Sequence, residues 1–519
     1  MQLHATMDAM APEPDANTSS KPLQRSALDG FLWLSAGNGV RAVLKIGVLA
    51  ILGRLLTPAD FGLVAAAAAV VWFTMIFSSL GVGPALVQRR ELEPEHISTS
   101  FAFSLLLGLT LGALIAIFAP AIARVFRLEG LAPVLRGIAI VFPISALSTV
   151  SYCLLQRQLR FRAIAGAELI SYAIGYGGVG VAMALLGYGV WALVGAEVSK
   201  EAVKSALLLR ALPESRRLRF HAGAFMELLH FGSGYTAGGI ATYIALEADS
   251  LVVARFLGAS ALGLYGRAYE LMLVPAKALG DVLNKILFPA LSRVQDDPGR
   301  LALGYRRSLG VTALLVIPAS VGIFILAPEI IATLLGGQWL GAVTPLRILI
   351  LATYFQVGYM VGQSVANATG VVYGTAWRSG AYAILVVLGA VIGQRWGIVG
   401  VAAGVAFAII VNFLLVAQLN ARVTGLVLRE LIALHLPALA LAAPTALAAW
   451  GSAEVLRHAG APALLVLLVA AAVTSVAVLI VLRLLQKRLP GGDVRWLMDI
   501  VSRHAPRPLR SLLTWAASP

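Results

Sequence analysis

The chain has 519 residues, is 59% hydrophobic and only 13% charged, and carries a net charge of +15 with a mean hydropathy of +0.86. A soluble domain is about 25% charged, so the composition excludes a soluble globular protein and predicts an all-α polytopic membrane protein. The basic excess sits in short links between apolar stretches, where it orients the chain rather than binding nucleic acid.

Residues 1–26 are polar, contain Pro12, Pro14 and Pro22, and lack the charged segment plus apolar core of a signal peptide, so they are expected to form a disordered cytoplasmic tail. Fourteen stretches long enough to span follow: 30–53, 61–87, 97–120, 133–156, 163–186, 188–210, 226–248, 262–289, 304–327, 340–366, 376–394, 397–420, 431–451 and 461–485. The first, with Arg41 and Lys45, and the sixth, with Glu197, Lys200, Glu201 and Lys204, are the weakest, which leaves twelve or thirteen spans as alternatives. Arginine is dense in the even-numbered links (among them Arg89, Arg90; Arg157, Arg160, Arg162; Arg210, Arg216, Arg217, Arg219; Arg293, Arg300, Arg306, Arg307) and sparser in the odd ones (Arg54; Arg124, Arg127; Arg255; Arg395; Arg457). That bias puts both termini in the cytoplasm, which requires an even number of spans. The tail over 490–519 is basic and carries Trp496, Leu512 and Trp515; it reads as a membrane-surface helix or as a solvated tail.

The chain also repeats. Leu52–Leu63 and Val253–Leu264 align at one offset, pairing Arg54 with Arg255, Leu56 with Leu257, Gly62 with Gly263 and Leu63 with Leu264. Gly187-Tyr-Gly-Val-Trp191 echoes Arg395-Trp-Gly-Ile-Val399. The expected organisation is an N-lobe of six helices over 27–210, a cytoplasmic linker over 211–225, a C-lobe of six helices over 226–421, and two added helices over 422–489. Both copies begin on the same side, so the repeats are parallel, related by an axis along the membrane normal.

The informative chemistry is charge at membrane depth. Arg267, Glu270, Lys277, Asp281 and Lys285, with Asn284 beside them, fall within roughly 80° of one face of span 8 and rise about 27 Å from first to last. Each charge at mid-membrane costs on the order of 3 kcal/mol, so this face is expected to look into a wet cavity; the alternative is a dry salt-bridge ladder. Pro275, mid-stripe, predicts a bend. Asn38, Arg41 and Lys45 share one face of span 1, and together with Arg267, Lys277, Lys285 and Arg347 they form the expected cationic cavity for an anionic substrate. Glu168, Glu247, Asp249, Glu270 and Asp281 are the candidate charge-balancing or ion-coupling carboxylates. The charges of span 6 read equally well as a self-neutralised helix end. Arg378 enters span 11. The seven histidines lie mostly at ends or in links, the single Cys153 cannot form an internal disulfide, and no P-loop, catalytic constellation, metal cluster or cofactor motif is visible.

Leu55-Leu-Thr-Pro-Ala-Asp-Phe-Gly-Leu63, Leu80-Gly-Val-Gly-Pro-Ala-Leu-Val-Gln-Arg89, Leu154-Leu-Gln-Arg-Gln-Leu-Arg-Phe161, Gly263-Leu-Tyr-Gly-Arg-Ala-Tyr269 within the stretch from Asp249 to Asn284, and Phe288-Pro-Ala-Leu-Ser-Arg293 together resemble a Wzx-type polysaccharide flippase. More narrowly they resemble the WzxC-like branch of the multidrug/oligosaccharidyl-lipid/polysaccharide exporter superfamily, from about Ala27 to Leu485. The resemblance implies two six-helix lobes around a central cavity, alternating access without ATP, and a multi-pass protein of the bacterial inner membrane. It implies an undecaprenyl-diphosphate-linked oligosaccharide as cargo, moved from inner to outer leaflet for exopolysaccharide, capsule or O-antigen synthesis. Membrane lipid and polysaccharide polymerase or assembly proteins are the implied partners, and a monomer the implied state. The competing expectations are a cation-coupled drug or metabolite antiporter, a lipid II-type flippase on the same fold, and a membrane-embedded polysaccharide polymerase or ligase. The last would want a long outer loop, and the chain has none between its apolar stretches.

Overall fold

The computed structural model describes residues 43–79, 86, 92–213, 220–221, 223 and 246–488, without the side chains at 76–79, 278, 281–282, 284–286, 290, 372–373, 428 and 485–488. The tails over 1–26 and 490–519, most of the linker over 211–225, and the residues Asn38 and Arg41 lie outside it, as do the side chains of Asp281, Asn284 and Lys285.

In chain order the helices are α1 over 43–55, α2 Pro58–Ser79, α3 Pro94–Phe126, α4 Leu131–Arg157 and α5 Phe161–Leu185, and α6 Val190–Ala211. Then come α7 over 246–257, α8 Ala259–Ser292, α9 Pro298–Ile325, α10 Val343–Ala368, α11 Val372–Gly393, α12 Gly397–Thr424, α13 Leu436–His458 and α14 Ala463–Arg488. Their order is consistent with fourteen spans. The apolar stretches missed the short helix Ala327–Leu334 and the 3₁₀ turn Gly337–Ala342 between α9 and α10.

Local chemistry sets the ends. Pro94 and Pro298 open α3 and α9 at positions where a missing N–H costs nothing. The Asp297 carboxylate accepts from the Arg300 N–H at 3.0 Å, capping α9. α8 runs unbroken through Pro275 and Pro289. Among the described residues, nine segments are long and apolar enough to cross a membrane, one of them holding both α11 and α12. Neither α6 nor α8 is in that set, because each carries a run of charges. Glu197, Lys200, Glu201 and Lys204 of α6 and Arg267 and Glu270 of α8 face the same space.

Within the first lobe α3 packs on α4 and α6 on α4 and α5; within the second, α10 packs on α8, α9 and α12. The lobes meet where α2 crosses α8. A Cβ on Gly62 would strike the Ala259 carbonyl, and a Cβ on Gly263 would strike the Pro58 carbonyl. Gly62 and Gly263 are equivalent positions of the repeat, and so are Pro58 and Ala259, so the contact is reciprocal about a pseudo-twofold axis. The same end, the arginine-poor one, is tied further. Gln338 Nε2 donates to the Gly53 and Leu56 carbonyls at 2.8 and 2.9 Å. Trp339 Nε1 donates to the Gly53 carbonyl at 2.7 Å, and Arg54 Nη2 donates to the Thr333 carbonyl at 2.8 Å. Trp339 is fully buried, edge-on to Phe61 with ring centroids 5.2 Å apart.

The α13–α14 pair is fastened to the second lobe at two levels. Near one end Tyr354 on α10 meets His435 at 2.5 Å. Near the other, Arg457 grips Glu329 with both arms, Nε to Oε1 at 2.8 Å and Nη2 to Oε2 at 3.0 Å. Glu329 is buried, so Arg457→Ala strands a carboxylate in an apolar setting, at a cost of about 2 kcal/mol. The thermal midpoint in detergent should fall by a few degrees, and Arg457→Lys should recover only part of that because it cannot bind in two places.

Candidate substrate cavity

Beneath the α2–α8 crossing lies a cavity of about 530 Å³, lined from α1, α2, α5, α6 and α8. From Leu193 to Lys204 it follows α6 for about 17 Å of helix rise. Its lining holds four cations (Lys45, Lys200, Lys204, Arg267) and four carboxylates (Glu168, Glu197, Glu201, Glu270). The described wall is therefore charge-balanced, where the sequence suggested a basic chamber.

Two groups of charges make up this wall. The first bridges the lobes. Glu270 on α8 takes Lys45 Nζ of α1 on Oε1 at 2.9 Å and has Arg267 Nη1 2.5 Å from Oε2. The Arg267 contact is off the hydrogen-bonding direction, which leaves Glu270 Oε2 without a hydrogen bond, and Arg267 Nε has none either. Arg267 reaches back across the boundary to lie over the Phe61 ring of α2, 5.0 Å from its centroid. Lys45 sits ten residues below the end of α1 and Glu270 eleven below the start of α8, so this clamp lies at about 15 Å depth.

The second group belongs to α5 and α6. Lys200 Nζ is 2.6 Å from Glu197 and 3.3 Å from Glu201, whose other oxygen is 2.5 Å from Lys204 Nζ. The Tyr176 hydroxyl donates to Glu197 at 2.8 Å. The span 6 charges do neutralise one another, as one of the two sequence readings had it, yet they do so on the cavity wall. The segment Ala173–Gly180 of α5 is a π-helix, a widened turn that recurs at functional sites. Nothing in the hydropathy pattern signals it. The run Tyr172-Ala-Ile-Gly-Tyr-Gly-Gly-Val-Gly180, four glycines in nine residues with two tyrosines, was the available cue.

The other expected residues are dispersed. Lys277 is exposed, two turns beyond Glu270, and is not part of the cavity lining. Arg347 lies away from the cavity: its Nε donates to the Phe324 carbonyl at 3.0 Å and its guanidinium lies over the Phe324 ring. Arg378 is buried and braces α11 to α12, donating to the Leu415 and Gly374 carbonyls at 2.8 and 2.6 Å. Asp249 is buried in the second lobe and accepts from the Tyr265 hydroxyl at 2.5 Å, with Glu247 half-buried beside it. Trp72, the Tyr172–Tyr176 pair and the lysines of α6 line the cavity without having been picked out from sequence as binding residues. Among the described residues, no cluster of three metal-ligating side chains occurs.

A family profile described as polysaccharide biosynthesis protein matches residues 51–344. The succinoglycan biosynthesis transport protein ExoT of Rhizobium meliloti (strain 1021) is 29% identical over 60% of this chain and 62% of that protein, so the chain spans less than two thirds of its length. The lipopolysaccharide biosynthesis protein WzxC of Escherichia coli (strain K12) is 24% identical over 76% of this chain and 80% of its own. Among solved structures, the lipid II flippase MurJ in an inward closed conformation superposes with a TM-score of 0.69 over 88% of this chain and 99% of that one, at 15% identity. An inward-facing multidrug resistance MATE family transporter of the MOP superfamily superposes with a TM-score of 0.60 over 76% and 98%, at 17% identity. At such identities the two structures establish the fold alone: a two-lobed bundle with added helices.

Proposed function

This chain belongs to the polysaccharide biosynthesis protein family, and we propose that it moves undecaprenyl-diphosphate-linked oligosaccharide repeat units from the inner to the outer leaflet of the bacterial inner membrane. The names of two relatives, a succinoglycan biosynthesis transport protein and a putative O-antigen transporter, support transport in polysaccharide assembly rather than catalysis. In this reading the basic links face the cytoplasm, both termini lie there, and the arginine-poor end sealed by Gly62, Gly263 and Trp339 is the periplasmic gate. The protein acts as a monomer and hands its cargo to a polymerase and assembly proteins.

The observation that carries the reading is the Lys45–Glu270–Arg267 clamp between the lobes. Glu270 is the counterion of two cations that would otherwise repel across the boundary. A diphosphate entering from the cytoplasmic side offers the same cations more oxygen acceptors and more charge, and so displaces the carboxylate. Exchange of one anion for the other then loosens the lobe contact at mid-depth, which couples cargo binding to opening of the gate above. Binding energy of the cargo drives the change only to the extent that the two forms bind it differently.

The test is binding of undecaprenyl diphosphate, without sugar, to the protein in nanodiscs. Lys45→Ala and Arg267→Ala should each weaken it about tenfold, the loss expected for one charge-assisted bond. Unchanged affinity in both variants would refute the clamp as the diphosphate site.

A further inference from the structure

We propose that the aromatic wall of the cavity, Tyr172 and Tyr176 at the head of the π-helical stretch of α5 together with Trp72 of α2, is a subsite for the uncharged sugar rings of the cargo. This rests on the flippase reading above and gives the cargo's sugar portion its own residues.

Four observations place it there. The Tyr172 and Tyr176 rings are stacked, with centroids 5.0 Å apart and planes 16° from parallel. The π-helix begins at the residue after Tyr172, and its Gly175 and Gly180 bring α5 against the backbone and Cβ atoms of α6, so the pair is set in a stiff wall. The Tyr176 hydroxyl is tied to Glu197, which fixes that ring's direction. Trp72 lines the same cavity and is 62% exposed, an amount of bare indole surface that invites a ligand. Phe61, the fourth aromatic of the lining, is already covered by Arg267 and Trp339, so it is not part of the platform.

Charge decides what the platform takes. On this side of the cavity Lys200 and Lys204 are held by Glu197 and Glu201 at 2.5 to 3.3 Å. A polyanion would have to break those pairs, and an organic cation would find the carboxylates occupied. A sugar ring needs neither. Its C–H face lies on an aromatic ring, and its hydroxyls donate to carboxylate and phenol oxygens with spare lone pairs and accept from lysine N–H groups. The cavity thus divides its labour, with the interlobe clamp for the diphosphate and the α2–α5–α6 wall for the saccharide.

The experiment compares two probes in nanodiscs: undecaprenyl diphosphate, and the same lipid bearing one glucose. Wild-type protein should bind the glucosylated lipid about fivefold more tightly than the bare one, the scale of one aromatic contact. Trp72→Leu and Tyr172→Leu should each remove that difference while leaving the bare lipid's affinity unchanged. Trp72→Phe and Tyr172→Phe should keep it. Bare-lipid binding in the same samples reports that the variants are folded. The subsite is overturned if wild type shows no preference for the glucosylated lipid, if both leucine variants retain the preference, or if both lose the two lipids together. If wild type binds the glucosylated lipid alone and the leucine variants abolish it, the subsite stands and the diphosphate assignment falls.

Discussion

Glu270→Gln should raise the affinity for undecaprenyl diphosphate and lower polysaccharide export, two effects of opposite sense from one substitution. The carboxylate competes with the diphosphate for Lys45 and Arg267, which it contacts at 2.9 and 2.5 Å. A neutral amide keeps the shape and gives up most of the competition. The side chains concerned are 56%, 32% and 21% exposed, so water already weakens the pairs, and the gain is held to about tenfold rather than the several hundredfold of a dry ion pair. Export should fall by a comparable factor, because release requires Glu270 to reclaim its cations, and a carrier that binds more tightly without that return step is slow to let go. Glu270→Asp, one methylene shorter with the charge kept, should lie between. Nanodisc binding and complementation of a flippase-null strain measure the two halves separately. If affinity and export fall together, the carboxylate is holding the site's shape and is not the displaced counterion.

Much of this site was visible as residues but not as an arrangement. The helical wheel placed Arg267 and Glu270 on one face of α8, and both line the cavity. It placed Lys45 on a polar face of α1, and Lys45 reaches Glu270. Periodicity fixes which face of a helix is polar, and the cost of burying charge makes that face turn toward water or a partner. It does not fix which helix stands opposite. Arg347 and Asp249 show the limit: each is an ionisable group at depth, and each is satisfied within the second lobe, by the Phe324 carbonyl and by the Tyr265 hydroxyl. A single buried charge has many such local solutions, so one residue carries little information about a cavity, whereas a stripe of them carries more. The aromatic wall was missed for a related reason. Tyr172, Tyr176 and Trp72 fit an interfacial belt or a core as well as a binding surface, and the i, i+4 spacing of the tyrosines pairs their rings without showing what they face.

The repeat was the most transferable signal. Gly62 and Gly263 stood out as equivalent positions of one internal match, and the structure sets them on either side of one crossing, each against the other copy's Pro58 or Ala259. Equivalent residues meet in this way only near a twofold axis, where a contact made once is made again in reverse. In the proposed transport cycle, an axis along the membrane normal through the arginine-poor end would give the gate its plainest construction: two helix starts crossing with nothing between their backbones.

That geometry gives the second large expectation. Gly62→Ala should open the gate. The added Cβ would press on the Ala259 carbonyl, a backbone atom that cannot rotate away as a side-chain end would, so relief requires the lobes to part. Overpacking of this kind costs about 3 kcal/mol, which changes the closed-to-open ratio about 100-fold. Gly263→Ala should do the same from the other lobe through Pro58. The two together should cost less than their sum, since both are relieved by one separation. Gly266→Ala, whose Cβ would have nothing within 4 Å, is the control and should change nothing. The readout is a single cysteine at Val64, a cavity-lining position just inside the crossing, in a Cys153→Ala background. A membrane-impermeant maleimide added from the arginine-poor face should modify it slowly in the parent and about 100-fold faster, up to the reagent's limit, in either glycine variant. Equal labelling of parent, Gly62→Ala and Gly263→Ala would mean that the crossing is ordinary close packing between helices and that the gate is made elsewhere.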